Sequence, residues 1–151
     1  MPKKIDIGTA KAVTGSGYPP PYHEPCVNRF RRRLGDAAGL TQFGVNLTRL
    51  PAGAWSSQRH WHAAEDEFIY VVEGELVLVT DTGEEMLRAG DCAGFKAGTP
   101  DGHHLLNRSG KDALYLEVGS RRPREEEVVY PDIDLSIKGG AGFTRKNGQP
   151  Y

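Results

Sequence analysis

A chain of 151 residues with 19 basic and 20 acidic side chains has room for one hydrophobic core, and its formal charge of −1 supplies no overall field that would draw it to nucleic acid or to an anionic membrane. Its two cysteines, Cys26 and Cys92, lie far apart and in no CxxC spacing, which excludes a disulfide scaffold and leaves them as unreactive thiols, with Cys92 expected in the core. Nineteen glycines and ten prolines fall between short apolar runs, a pattern of an all-β protein with many turns rather than of a helical bundle.

In chain order, the opening MPKKIDIGTAKAV has charge but no apolar h-region, and no later run approaches the roughly 20 apolar residues of a membrane helix, so a cytoplasmic location is expected. Residues 1–27 read as an extended, Pro-rich N-terminal arm, because GSGYPPPYHEP places four prolines where a central strand or a helix would have to run. Residues 28–138 read as the barrel domain and 139–151 as a tail. NRFRRRLG (28–35) reads as a solvated edge strand or a subunit contact.

From residue 43 the punctuation is regular. FGVNLTRL alternates apolar and polar positions, the period of a half-buried strand. EFIYVV (67–72) and ELVLVT (75–80) flank Glu73-Gly74 and are expected to form a hairpin. DTG, AGD, PDG and SGKD then separate EEMLR, CAGFKAG, HHLLN and ALYLEVGS, and VVYPDIDLSI adds short apolar pieces near the end. Short strands with a turn every eight to twelve residues indicate a sandwich or a closed barrel. No repeat and no helix is expected.

The chemistry sits in RHWHAAEDEF. Side chains two apart on a strand share a face, so His60 and His62 project together while Trp61 points away. A short turn through AAED brings Glu67 back beside them, and two imidazoles with one carboxylate make most of a site for a divalent transition metal. The other reading of the same residues is a pair of surface histidines near a solvated glutamate. His103 and His104, about forty residues on, offer a further nitrogen, and an octahedral ion held by four side chains would keep two positions for water or substrate. Imidazole and carboxylate suit zinc, iron, manganese and nickel alike. Arg59, Asn107 and Tyr70 are the candidate substrate contacts: a guanidinium to hold a carboxylate, an amide on the strand face of His103, and an aromatic wall. No GxSxG elbow or phosphate loop is present.

These two stretches resemble the paired motifs of the cupin superfamily. Gly53, His60, His62, Glu67 and Gly74 follow the first motif, with six residues rather than five after Gly53. Gly90, Lys96, Gly98, His103 and Asn107 follow the second, with Lys96 in place of a proline and four residues rather than two between Gly98 and the histidine. The step to Asn107 selects His103 as the matching ligand, with His104 as the alternative. The resemblance covers about residues 40–120. It implies a double-stranded β-helix (jelly-roll) barrel, often dimeric, with one divalent ion near a barrel mouth. It leaves open a metal-dependent oxygenase or isomerase acting on a small oxygen-bearing molecule, or a non-enzymatic binding or sensing module, since one barrel hosts many reactions. The arm and exposed sheet edges add the expectation of a homodimer.

Overall fold

The structure, a computed structural model, describes residues 4–151. Twelve strands form three antiparallel sheets. The largest runs in the order β1 (Ala12–Thr14), β2 (Phe30–Arg33), β3 (Phe43–Leu50), β10 (Ala113–Ser120), β5 (Glu67–Glu73), β8 (Cys92–Phe95). Facing it is a three-stranded sheet of β7 (Gly83–Arg88), β6 (Glu75–Thr80) and β9 (His104–Leu106). A third, of β12 (Ser136–Lys138), β11 (Glu127–Val129) and β4 (Trp61–His62), closes one end. Isolated bridges from Trp55 to Leu106 and from His60 to His103 stitch the β3–β4 segment onto the smaller sheet. This is a jelly-roll barrel.

The alternation read from FGVNLTRL and EFIYVV is the one that builds the core. Leu50, Ile69, Val71 and Tyr115 point inward from the large sheet onto Leu76, Leu78, Leu87 and Leu105 of the small one. Phe68, Tyr70 and Val72, the alternate residues of β5, lie on the outer face, each more than 40% exposed.

Glu73-Gly74 is not a hairpin. β5 pairs with β10 and β8, whereas β6 pairs with β7 and β9, so the chain changes sheet at this corner. Gly74 has φ +80°, and a Cβ there would lie 2.9 Å from the Asp112 carbonyl oxygen, so the corner needs a residue with neither a side chain nor a preference for negative φ. The local pattern of two strands and a Gly turn is the same for a hairpin and for a sheet switch.

Three other expectations are corrected. A short α-helix, α1 (Leu34–Ala37), follows β2. Cys92 is exposed at the edge strand β8, whereas Cys26 is buried. The edge of the large sheet is β1, which adds a strand outside β2, so β2 is not its edge. Beyond it Tyr18 and Tyr22 pack on a second cluster of Val128, Tyr130, Leu135 and Phe143. Tyr18 meets Tyr130 edge-on at 5.9 Å and Phe143 at 5.5 Å between ring centroids, so the N-terminal segment and the tail lie against each other.

Candidate metal centre

Directly opposed residues of antiparallel strands share a face. On the inner wall of the large sheet this gives a row of Gly44, Gly119, Glu67 and Phe95, and beside it a row of Asn46, Glu117, Ile69 and Ala93. The two glycines next to Glu67 leave their part of the row without side chains, and space opens in front of the carboxylate. That space is a cavity of about 390 Å³, lined on one side by the histidines and on the other by arginine and tyrosine side chains.

Three donor atoms, from His60, His62 and Glu67, lie within 4.8 Å of one another, and His103 reaches the same carboxylate. His60 Nε2 lies 3.1 Å from His62 Nε2. Glu67 Oε2 is 3.2 Å from His62 Nε2, 3.8 Å from His60 Nε2 and 2.9 Å from His103 Nε2. Donors held about 2.1 Å from a shared ion stand about 3.0 Å apart at right angles and about 4.2 Å apart when opposite, so the His60, His62 and Glu67 separations fit one octahedral ion, with His103 hydrogen-bonded to Glu67 beside them. The backbone brings them together: His60 and His103 form a bridge in which each N–H donates to the other's carbonyl, and β5 starts with Glu67.

Neighbouring groups set the imidazoles. His60 Nδ1 donates to the Gln58 carbonyl at 2.8 Å, which leaves the Nε2 lone pair facing the cluster. Burial pulls the His60 pKa down to about 3, so this ring is neutral at physiological pH. Burial also disfavours the charged form of His62, but the hydrogen bond and charge of Glu67, with the charge of Glu126 behind it, outweigh that and raise its pKa. Burial pushes Glu67 upward, yet its hydrogen bonds with His103 and His62 dominate and hold it well below the usual carboxylate range. Phe95 stacks on His103 at 3.6 Å with the planes 5° apart and fixes that ring.

His104 is not brought into this cluster. Its Nδ1 donates to the Ser57 carbonyl at 2.9 Å, and its ring sits edge-on to Trp55. The three expected substrate contacts also lie outside the cavity lining. Arg59 donates to both carboxylate oxygens of Asp132, to Asp81 and to the Gly102 carbonyl, which ties the end of the β3–β4 connection to the loops around it. Asn107, fully buried, donates to the Leu50 and Lys111 carbonyls and accepts from the Ser109 N–H, so it holds a loop together. Tyr70 is on the outer face of β5, one residue out of step with Glu67 and Ile69.

Two residues beside the site carry no local signature in the sequence. Glu126 lies in the charged run REEE, yet it is buried, accepts from the Ala63 N–H and places Oε1 3.6 Å from His62 Nδ1. Arg31 was expected on a solvated strand, but its guanidinium turns inward to Glu117 at 3.0 Å. Alternation along FRRR, read with β3 as its neighbour rather than with solvent, would have shown this.

A model of the cupin domain matches residues 46–119. Over 99% of this chain and 96% of its own, a solved structure described as a sugar phosphate isomerase from a cupin superfamily, from Silicibacter pomeroyi, is 46% identical with a TM-score of 0.92. The chain belongs to the cupin superfamily. A second cupin-like structure, described as a putative sugar phosphate isomerase from Acidithiobacillus ferrooxidans, is 26% identical over 82% of this chain and 80% of its own, with a TM-score of 0.72. The polyketide cyclase RemF from Streptomyces resistomycificus, at 23% identity, 88% and 87% coverage and a TM-score of 0.67, shares the cupin fold. No curated protein matches. Among the described residues of this cupin no helix is long and apolar enough to cross a membrane.

Proposed function

We propose that this cupin is a metal-dependent isomerase that interconverts the aldose and ketose forms of a small sugar in the cytoplasm. The observation that carries the reading is the cluster of His60 Nε2, His62 Nε2 and Glu67 Oε2, with His103 Nε2 on the same carboxylate, in a polar cavity. The overall likeness to a protein described as a sugar phosphate isomerase supports the reaction class. His60, His62, Glu67 and His103 would hold zinc, iron, manganese or nickel, with two octahedral positions left for substrate oxygens. Bound there, a divalent ion supplies Lewis-acid polarisation of a carbonyl and its neighbouring hydroxyl.

The protein's own groups account for the rest. With a divalent ion held there, the single charge of Glu67 would leave net positive charge where carbonyl and hydroxyl oxygens would bind. Glu117, in the row next to Glu67 and lining the cavity, carries the proton from one carbon to its neighbour, taking it from the hydroxyl-bearing carbon and returning it to the former carbonyl carbon. Its pair with Arg31 at 3.0 Å holds the carboxylate in place. Tyr18, Tyr130 and Phe143 cover the mouth and exclude water from the intermediate.

Elemental analysis of purified protein tests the site: about one ion per chain in the wild type and in His104→Ala, and none in His60→Ala or His103→Ala. Turnover of aldoses and ketoses, assayed beside oxygen uptake, tests the reaction. Turnover lost in Glu117→Gln with metal content unchanged supports the assignment. Metal-dependent oxygen uptake without isomerisation would replace it with an oxygenase, and tight ligand-induced stabilisation with no turnover would leave a binding module.

We propose a homodimer as well, through the outer face of the large sheet rather than through the arm. There Val45, Val118 and Phe68 form one row and Leu47, Leu116 and Tyr70 the next, a continuous apolar surface. A second copy is the occupant that would cover it with like residues.

A further inference from the structure

Several polar groups of the same cavity outside the histidine cluster are unsatisfied. Arg29 donates to the Ser56 carbonyl at 2.5 Å and to the Gly15 carbonyl at 2.8 Å, which fixes its guanidinium, yet among the described residues it has no carboxylate partner. Its Nε is buried with no hydrogen-bond partner in the protein. The same holds for Arg31 Nε, Ser16 Oγ and Tyr115 Oη, and all four residues line this cavity. Arg31 and Tyr115 stand opposite Thr48 from its two sides, so they share one row of the inner wall. Glu117 neutralises one of the two guanidinium groups and leaves the other's charge uncompensated. Buried charges and buried donors are ordinarily paired, and here one guanidinium without a carboxylate, the free Nε of a second and two hydroxyls line one cavity.

We infer that Arg29, Arg31, Ser16 and Tyr115 form an anion subsite that holds the terminal phosphate of the sugar. This rests on the isomerase reading for the sugar and on the orphaned donors for the phosphate. A phosphate monoester offers several acceptor oxygens with two negative charges, which suits guanidinium and hydroxyl donors together, and guanidinium groups already oriented by carbonyls lose little freedom on binding it. Arg31 reaches Glu117, which sits two residues along β10 from Gly119, the residue opposite Glu67. Tyr115, in the row of Arg31, is four residues along β10 from Gly119, so the phosphate row and the metal row are separated by about 13 Å along the strand direction. That spacing places the phosphate on a carbon remote from the carbonyl rather than beside it. The segment before β2 takes part as well: Gly15 supplies an anchoring carbonyl and Ser16 a donor, so folding of the N-terminal segment onto the barrel completes the site.

Calorimetric titration with inorganic phosphate, on full-length metal-loaded protein, reads the subsite without turnover. The wild type binds, and Arg31→Gln and Arg29→Gln each weaken binding about tenfold or more, the loss expected for a charge-assisted bond. Tyr115→Phe and Ser16→Ala remove single hydroxyls without altering backbone anchors, and each weakens binding severalfold with unchanged circular dichroism. In sugar assays Arg29→Gln raises KM for the phosphorylated substrate more than for the unphosphorylated sugar. Unchanged phosphate affinity in all four variants overturns the subsite even where sugars are turned over. Preference for acetate over phosphate overturns the phosphate assignment. Phosphate binding that depends on these residues, with no sugar turned over, keeps the subsite and removes the isomerase.

Discussion

Gly74→Ala and Gly53→Ala make a matched pair, because the two glycines share a backbone conformation and differ only in what surrounds them. Gly53 has φ +81° and nothing within 4 Å of an added Cβ, whereas Gly74 has φ +80° with the Asp112 oxygen at 2.9 Å, Ala113 Cα at 3.0 Å and Ala113 Cβ at 3.2 Å. Alanine at either position meets the left-handed penalty, about 1–2 kcal/mol. At Gly74 it must also displace the backbone that leads into β10, and forced overpacking adds about 1–3 kcal/mol. The expected losses are about 1–2 kcal/mol for Gly53→Ala and about 2–5 kcal/mol for Gly74→Ala. For a chain of this size each kcal/mol is about 2–4 °C in Tm. Urea unfolding of chelator-treated protein, followed by tryptophan fluorescence, measures both without the contribution of bound metal. Equal losses in the two variants would refute the close approach at the corner where the chain changes sheet.

Other outcomes follow from the same geometry. Glu126→Gln weakens metal affinity about tenfold, measured by competition with a chelator, because the carboxylate behind His62 Nδ1 no longer orients that ring or raises its basicity; unchanged affinity would make Glu126 a purely structural residue. Arg59→Met leaves metal stoichiometry intact but costs about 1–2 kcal/mol in urea unfolding, since the guanidinium is mostly buried while Asp81 and Asp132 are half exposed and screened. At pH 8 a thiol-alkylating reagent modifies Cys92 within minutes and spares native Cys26, which is fully buried and whose pKa burial raises to about 11; mass spectrometry showing equal labelling would contradict that placement. Tyr70→Glu gives a monomer by light scattering where the wild type gives a dimer, and an unchanged mass would move the interface away from the outer sheet face.

Much of the barrel was legible in the chain because alternation is a local property. FGVNLTRL and EFIYVV became β3 and β5 within a residue, and the same period placed His60, His62 and Glu67 on inward positions. The sheet switch at Gly74 was not legible, since the turn looks alike whichever partner the next strand takes. Nor was the inward turn of Arg31, because a run of arginines reads as solvated until a neighbouring strand presents Glu117 to it.

By itself the sequence determined the strands, the inward set of histidines and Glu67, and the family, all of which depend on spacing along the chain. Only the tertiary structure decided that His103 and not His104 meets Glu67, that Arg59, Asn107 and Tyr70 lie outside the cavity, and that Arg29, Arg31, Ser16 and Tyr115 gather within it. Those outcomes depend on which strands lie side by side, and pairing between distant strands is set by the packing of the whole core rather than by any short stretch of residues.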